Sequence, residues 1–196
     1  MVPGARLPPG YNEIAAILIT PGRSVRIQVF SVLLALSVLA VLLLAARITS
    51  ISISPAGLLP LLAVLAGTVG VVFLHEAVHG LVFLLSGTRP RFDAAILHGM
   101  PVLSTGADRP HGRDTALLGL LAPLVLIDGA LLGLSAAFPT LLPWVIGPVV
   151  FNTAGSAGDL WLAARLARFG SSVLVADVPD GLVVYGPSGQ KGASNR

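Results

Sequence analysis

The stretch HEAVH, residues 75–79, holds two of the chain's four histidines and one of its two glutamates. On a helix, residues four apart leave the same face one turn apart, so the His75 and His79 imidazoles could bind a single metal ion. Glu76 stands beside the first imidazole, placed to take a proton from an activated water and not to ligate. Zinc suits this set, because it accepts imidazole nitrogen and carboxylate oxygen tetrahedrally and can keep one position open. There is no cysteine, so a disulfide framework and a thiolate site are both excluded, and histidine and carboxylate must supply every ligand. The chemistry these residues suggest is hydrolysis at a zinc site.

The surroundings make the cluster unusual. HEAVH lies inside VVFLHEAVHGLVFLL, residues 71–85, a run that otherwise reads as lipid-soluble helix. An ionisable group in a membrane span costs ~2.5 kcal/mol or more and usually marks function. Helix packing is the plainer alternative for a lone polar residue, but it does not explain this spacing. The whole chain of 196 residues is 55% hydrophobic and 11% charged, with a mean hydropathy of +0.89. Those values lie outside the range of soluble domains and indicate an integral membrane protein.

Four runs are each long enough to cross a hydrocarbon core, which takes ~20 helical residues: Ile27 to Ala46, Leu58 to Ser86, Thr115 to Ala137 and Leu141 to Ala164. The first is too long for a signal-peptide core and lacks a small-x-small cleavage site, so it is expected to remain as an anchor. Of the twelve Lys and Arg residues, Arg47 alone falls between the first and second or the third and fourth runs. Positive residues are retained in the cytoplasm, so both termini are expected inside a bacterial-type cytoplasmic membrane, with short outer loops at RITSISISPAG and FPT. The net charge of +3 and pI of 10.2 come from arginines flanking apolar runs. No basic stripe with interleaved aromatics appears, and no nucleic-acid partner is expected.

The expected fold is an all-α membrane protein, a bundle of four transmembrane helices with small extended or hairpin segments on the cytoplasmic side. Residues 1–26 form a cytoplasmic N-terminal segment and 27–186 a single four-span domain. Within it, Arg89 to Thr105 mixes prolines and glycine with short apolar stretches, and Ser172 to Gly186 places a Pro-Asp-Gly turn between two β-branched runs, a plausible hairpin. The tail 187–196 has nothing to bury and is expected to be disordered.

Two imidazoles leave a catalytic zinc one protein ligand short. Counted from the outer ends, His75 and His79 lie about 17 and 21 residues into the second run and Asp159 about 18 into the fourth, depths that agree within a turn at ~1.5 Å per residue. Ala154, Gly155, Ser156, Ala157 and Gly158 before it let another backbone come close. Asp159 is therefore the expected third ligand. Asp128, in LVLIDGALLG near the middle of the third run, competes for that role. Asn152, two turns before Asp159 on the same face, could donate to substrate or a reaction oxyanion, or form an interhelical hydrogen bond. His98 and His111 read as surface or interfacial residues.

HExxH in a spanning helix, followed two spans later by Asn152 and Gly158-Asp159-Leu160, resembles the site-2 protease group of intramembrane metalloproteases. There the third ligand is an aspartate in a Leu-Asp-Gly motif with an upstream asparagine. The chain is more closely similar to a bacterial family of domains of unknown function, described as zincin membrane peptidases. The resemblance covers Leu58 to Leu166, and His75, Glu76, His79 and Asp159 carry over position by position. The Gly-Asp-Leu order and the absence of prolines after Asn152 depart from the site-2 pattern.

Residues and resemblance together imply a membrane-embedded zinc metalloprotease, with Glu76 as general base and a membrane-associated protein or peptide as substrate. The irregular Arg89 to Thr105 segment suggests water access from the cytoplasmic side, and an exposed strand edge at FDAAIL could receive an unwound substrate as an added strand. The competing class is a non-enzymatic metal-binding or interaction protein derived from such a peptidase. It would have no use for Glu76.

Overall fold

A computed structural model describes residues 7–51, 58–97 and 100–188. Two helices of 28 residues dominate it, α1 (Pro21–Ile48) and α2 (Leu58–Leu85), each about 42 Å long at 1.5 Å per residue. Both are apolar all round, and large side chains such as Val29, Leu36, Leu59 and Phe73 stand exposed, the pattern of a helix whose surroundings are themselves apolar. A third helical stretch runs from Arg113 to Ala137, and these three are long and apolar enough to cross a membrane.

The fourth apolar run differs from the expected single helix. It begins with one 3-10 turn and then forms α5 (Leu142–Gly155) and α6 (Ala157–Leu166), interrupted at Ser156. Gly155-Ser156 is a pair at which helices commonly kink, and the Ser156 hydroxyl turns back to donate to the Asn152 carbonyl at 2.9 Å. At Gly147, a Cβ would come within 2.7 Å of Thr68 Oγ1. This glycine lets α5 lie close against α2, so that side chains from both reach a common point. On its other side α5 packs against α1 through Leu42, Ala46, Val145 and Val149.

The all-α expectation covers the helices and misses two sheets. A two-stranded antiparallel hairpin joins β2 (Pro90–Leu97) to β3 (Met100–Ala107), in the segment read as irregular. A four-stranded antiparallel sheet has the order β1-β6-β5-β4, with β1 at Tyr11–Leu18, β4 at His111–Gly112, β5 at Leu174–Val178 and β6 at Gly181–Pro187. β5 and β6 form the expected hairpin. Gly181, at φ +148°, is required there, because a Cβ would fall 2.1 Å from the Ile17 carbonyl oxygen. Strand β1 comes from the N-terminal segment and pairs with β6 from Tyr11↔Pro187 to Leu18↔Gly181. One face of this sheet, with Ile17, Val175, Leu182 and Val184, buries Ala116 and Leu166, so the sheet covers the start of the third helical stretch and the end of α6. His98 and most of the tail, from residue 189, lie outside the described residues.

Candidate metal centre

Helix α2 presents His75 and His79 one turn apart and buried, their rings edge to face with centroids 4.8 Å apart. Asp159 reaches both from α6: its Oδ2 lies 3.1 Å from His75 Nε2 and 3.6 Å from His79 Nε2. Ligand atoms around a tetrahedral zinc with bonds of ~2.0–2.1 Å stand ~3.3 Å apart, and both Asp159 approaches are close to that separation. The interruption at Ser156 contributes directly, since Asp159 falls in the first turn of α6, where unpaired N–H groups and the helix dipole favour a carboxylate.

Both imidazoles are fixed through their far nitrogens. His75 Nδ1 faces Asn152 Oδ1 at 2.9 Å, and His79 Nδ1 faces the Gly119 carbonyl oxygen at 2.9 Å. Each acceptor requires Nδ1–H to donate, which leaves the Nε2 lone pairs free toward Asp159, the arrangement metal-binding histidines commonly adopt.

Asn152 is itself held. Its Nδ2 donates to Asp128 Oδ1 at 2.9 Å and to the Pro123 carbonyl at 3.2 Å, and the Thr153 hydroxyl donates to Asp128 Oδ2 at 2.6 Å. Both amide hydrogens are thus taken up, and Asn152 orients His75 with none left for an oxyanion. Asp128 stands behind Asn152 and away from the convergent Nε2 atoms. The local backbone brings it there. The third helical stretch is α3 (Arg113–Pro123), a π-helical turn over Leu124–Asp128, then α4 (Gly129–Ala137), and such turns are frequent at functional sites.

Glu76 also stands close to the two histidines, and one ligand atom from each of His75, Glu76 and His79 lies within 4.8 Å of the others. Two carboxylates therefore compete for the third position. Asp159 has the shorter approaches, and Glu76 is engaged elsewhere: the Thr105 hydroxyl donates to Glu76 Oε2 at 2.8 Å. Thr105 is the residue that sequence reasoning missed. It lies opposite Phe92 in the hairpin register, so both side chains share one face. Glu76 and Gly80 are likewise one turn apart on α2. The Phe92 ring comes so near Gly80 that a Cβ there would sit 2.8 Å from it. One rung of the hairpin thus docks on one turn of the helix.

The hairpin is tied at its far end as well. Ala107 N–H donates to Asp177 Oδ2 at 2.9 Å, which joins β3 to β5. His111, expected at the surface, is buried beside this junction. Its Nδ1 lies 3.8 Å from Asp177 Oδ2 and its ring packs edge-on against Phe83, because the short strand β4 pairs with β5. Burial pushes the Asp177 carboxyl above the usual carboxylate range, against the opposing pull of His111. His111 takes no part in the metal cluster.

A cavity of about 870 Å³ opens beside the cluster. His75, Glu76 and Asn152 line one wall, Gln28 and Ser31 of α1 another, and Ala95 and Ile96 of β2 a third.

These features fall within a stretch that matches a family model. Residues 68–174 match the family described as "Putative zincin peptidase", more than half of the chain, and the protein belongs to that family. The match runs from within α2 to the start of β5 and takes in the cluster, the hairpin and α6; α1, β1 and β6 lie outside it. No curated protein and no solved structure matches the chain. Zinc is the metal the family implies, and the donor set of two imidazoles and a carboxylate fits it.

Proposed function

We propose that this protein is a membrane-embedded zinc peptidase of the site-2 protease type, which hydrolyses peptide bonds of membrane-associated proteins with Glu76 as general base. The observation that carries the reading is the convergence of His75 Nε2, His79 Nε2 and Asp159 Oδ2 with Glu76 alongside. His75, His79 and Asp159 hold the ion, and the Asp159 charge offsets part of its own. Zinc, when bound, supplies a Lewis acid that makes water nucleophilic near neutral pH.

Thr105 occupies Glu76 Oε2 and so directs Oε1 toward the attacking water. Glu76 accepts the water's proton there and passes it to the leaving amine. A substrate segment in the cavity would lie against Ala94, Ala95 and Ile96, where β2 has an edge unpaired among the described residues and could accept it as an added strand.

The membrane part of the reading rests on the three long apolar helices, with α5 and α6 together as the fourth crossing and the sheet on the cytoplasmic side. Single cysteines test it in this cysteine-free chain. In intact cells Thr140→Cys should react with an impermeant thiol reagent and Ser172→Cys should be protected; labelling of both would refute an even number of crossings.

The catalytic part is tested by Glu76→Gln, which removes the base and leaves both imidazoles in place. Zinc should stay near one per chain while cleavage of a membrane-embedded reporter drops by roughly a hundredfold or more. Undiminished cleavage would end the general-base assignment.

A further inference from the structure

At the sheet-bearing end of the bundle, α1 begins beside the point where α6 ends. Arg23, in the first turn of α1, is pinned by a 2.8 Å hydrogen bond from its Nη1 to the Leu18 carbonyl. Arg165 lies in the last turn of α6. Both guanidinium groups stand over one indole, that of Trp161, with their central carbons 5.8 Å and 5.2 Å from the ring centroid. Trp161 is half-buried against the hydrophobic cluster beneath the sheet, so the ring is a fixed platform.

Each arginine alone has an ordinary explanation: Arg165 complements the negative end of α6, and Arg23 precedes an apolar span. Their meeting on one ring has none. Two like charges drawn together repel, and the indole face offsets only part of that. Among the described residues the one arginine–carboxylate pair is Arg113 with Asp114, so neither guanidinium here has an acidic partner. Arg26 lies three residues further along α1 and Arg168 two residues beyond the end of α6; both are exposed and extend the same charge.

Paired guanidinium groups on one fixed ring suit an anion at the depth of an interfacial tryptophan. Guanidinium forks match phosphate oxygens, tryptophan marks the headgroup level, and basic residues at the cytoplasmic face attract anionic lipid. We propose that Arg23, Trp161 and Arg165 form a binding site for the phosphate of an anionic phospholipid, such as phosphatidylglycerol. The site joins α1, which lies outside the family match, to α6, which carries Asp159. Ser24, next to Arg23, lines the cavity, so the site lies near it. The inference rests on the membrane part of the proposed function and not on catalysis.

The chain has two tryptophans, so Trp144→Phe leaves Trp161 as a single reporter. Full-length protein in neutral micelles is titrated with brominated phosphatidylglycerol or brominated phosphatidylcholine, and quenching of Trp161 is followed. The phosphatidylglycerol curve should fall at a lipid fraction roughly tenfold to thirtyfold lower, from two arginines near a charged headgroup. Arg23→Gln with Arg165→Gln should move it onto the phosphatidylcholine curve, while millimolar inorganic phosphate should leave it in place.

Equal quenching by the two lipids with both arginines intact would overturn the proposal, and that comparison stands even if the double variant does not fold. Displacement by inorganic phosphate would overturn the lipid assignment in favour of a free anion. The readout needs neither zinc nor cleavage, so its failure is distinct from failure of the peptidase reading.

Discussion

Around His75 the hydrogen-bond partners come from helices, whereas Glu76 is answered by one hydroxyl on a two-stranded hairpin whose Phe92 and Ile96 are largely exposed. The ligand side has depth: His75 leans on Asn152, Asn152 on Asp128 and Pro123, Asp128 on Thr153. The base side has a single bond from Thr105, backed by Phe92 on Gly80 and by Asp177 on Ala107. Buried, mutually satisfied networks are rigid. A hairpin carried on few contacts yields more easily. On the proposed reading the metal would sit among rigidly held ligands, while Glu76 would adjust as a substrate entered beside β2.

The largest effect should follow Asp159→Asn. An amide is a poor ligand, and the cation would lose its one anionic protein partner besides Glu76, so zinc content measured after gel filtration should fall well below stoichiometric and cleavage with it. Retained zinc would shift the third-ligand role toward Glu76 and dissolve the contrast between the two sides. Asn152→Ala comes next. Loss of an outer partner typically costs 10–100-fold in metal affinity, measurable by competition with a chelator, whereas Asp128→Asn should keep zinc, because an amide oxygen still accepts from Asn152.

A smaller loss of activity is expected from Thr105→Val. Removing one hydrogen bond to a charged group costs ~1.5 kcal/mol, so cleavage should fall roughly tenfold at unchanged zinc content, and Thr105→Ser should restore it. A loss of zinc in Thr105→Val would show that the hairpin supports the ligands as well.

Legibility in the sequence follows contact range. HEAVH declares itself within one helical turn, and counting depth from the span ends brings Asp159 to the same level. Asn152 was legible as a polar residue on the right face, but its partners were not, because the π turn over Leu124–Asp128 has no simple sequence period. Thr105 carries no local signal: its role depends on a strand-to-helix contact set by the opposition of Phe92 to Thr105 and by the absence of a side chain at Gly80. Strand β1 was missed for a similar reason. YNEIAAIL has no turn linking it to a neighbour, and its partner β6 lies at the other end of the chain. The break at Ser156 was visible only as a cluster of small residues, which read equally well as a packing surface.

The π turn ahead of Gly129 sets stability against use. A π turn holds one residue more than an α-helical turn needs, and a chain without it gains regular hydrogen bonding. Winding the same residues into a regular α-helix, with none removed, would turn everything beyond Leu124–Asp128 by up to about 100°. Asp128 would then swing away from Asn152 and Thr153, and the anchoring of His75 would go with it. The thermally sturdier helix is the one that could no longer hold the imidazole, a conflict that natural proteins tolerate where a site requires it.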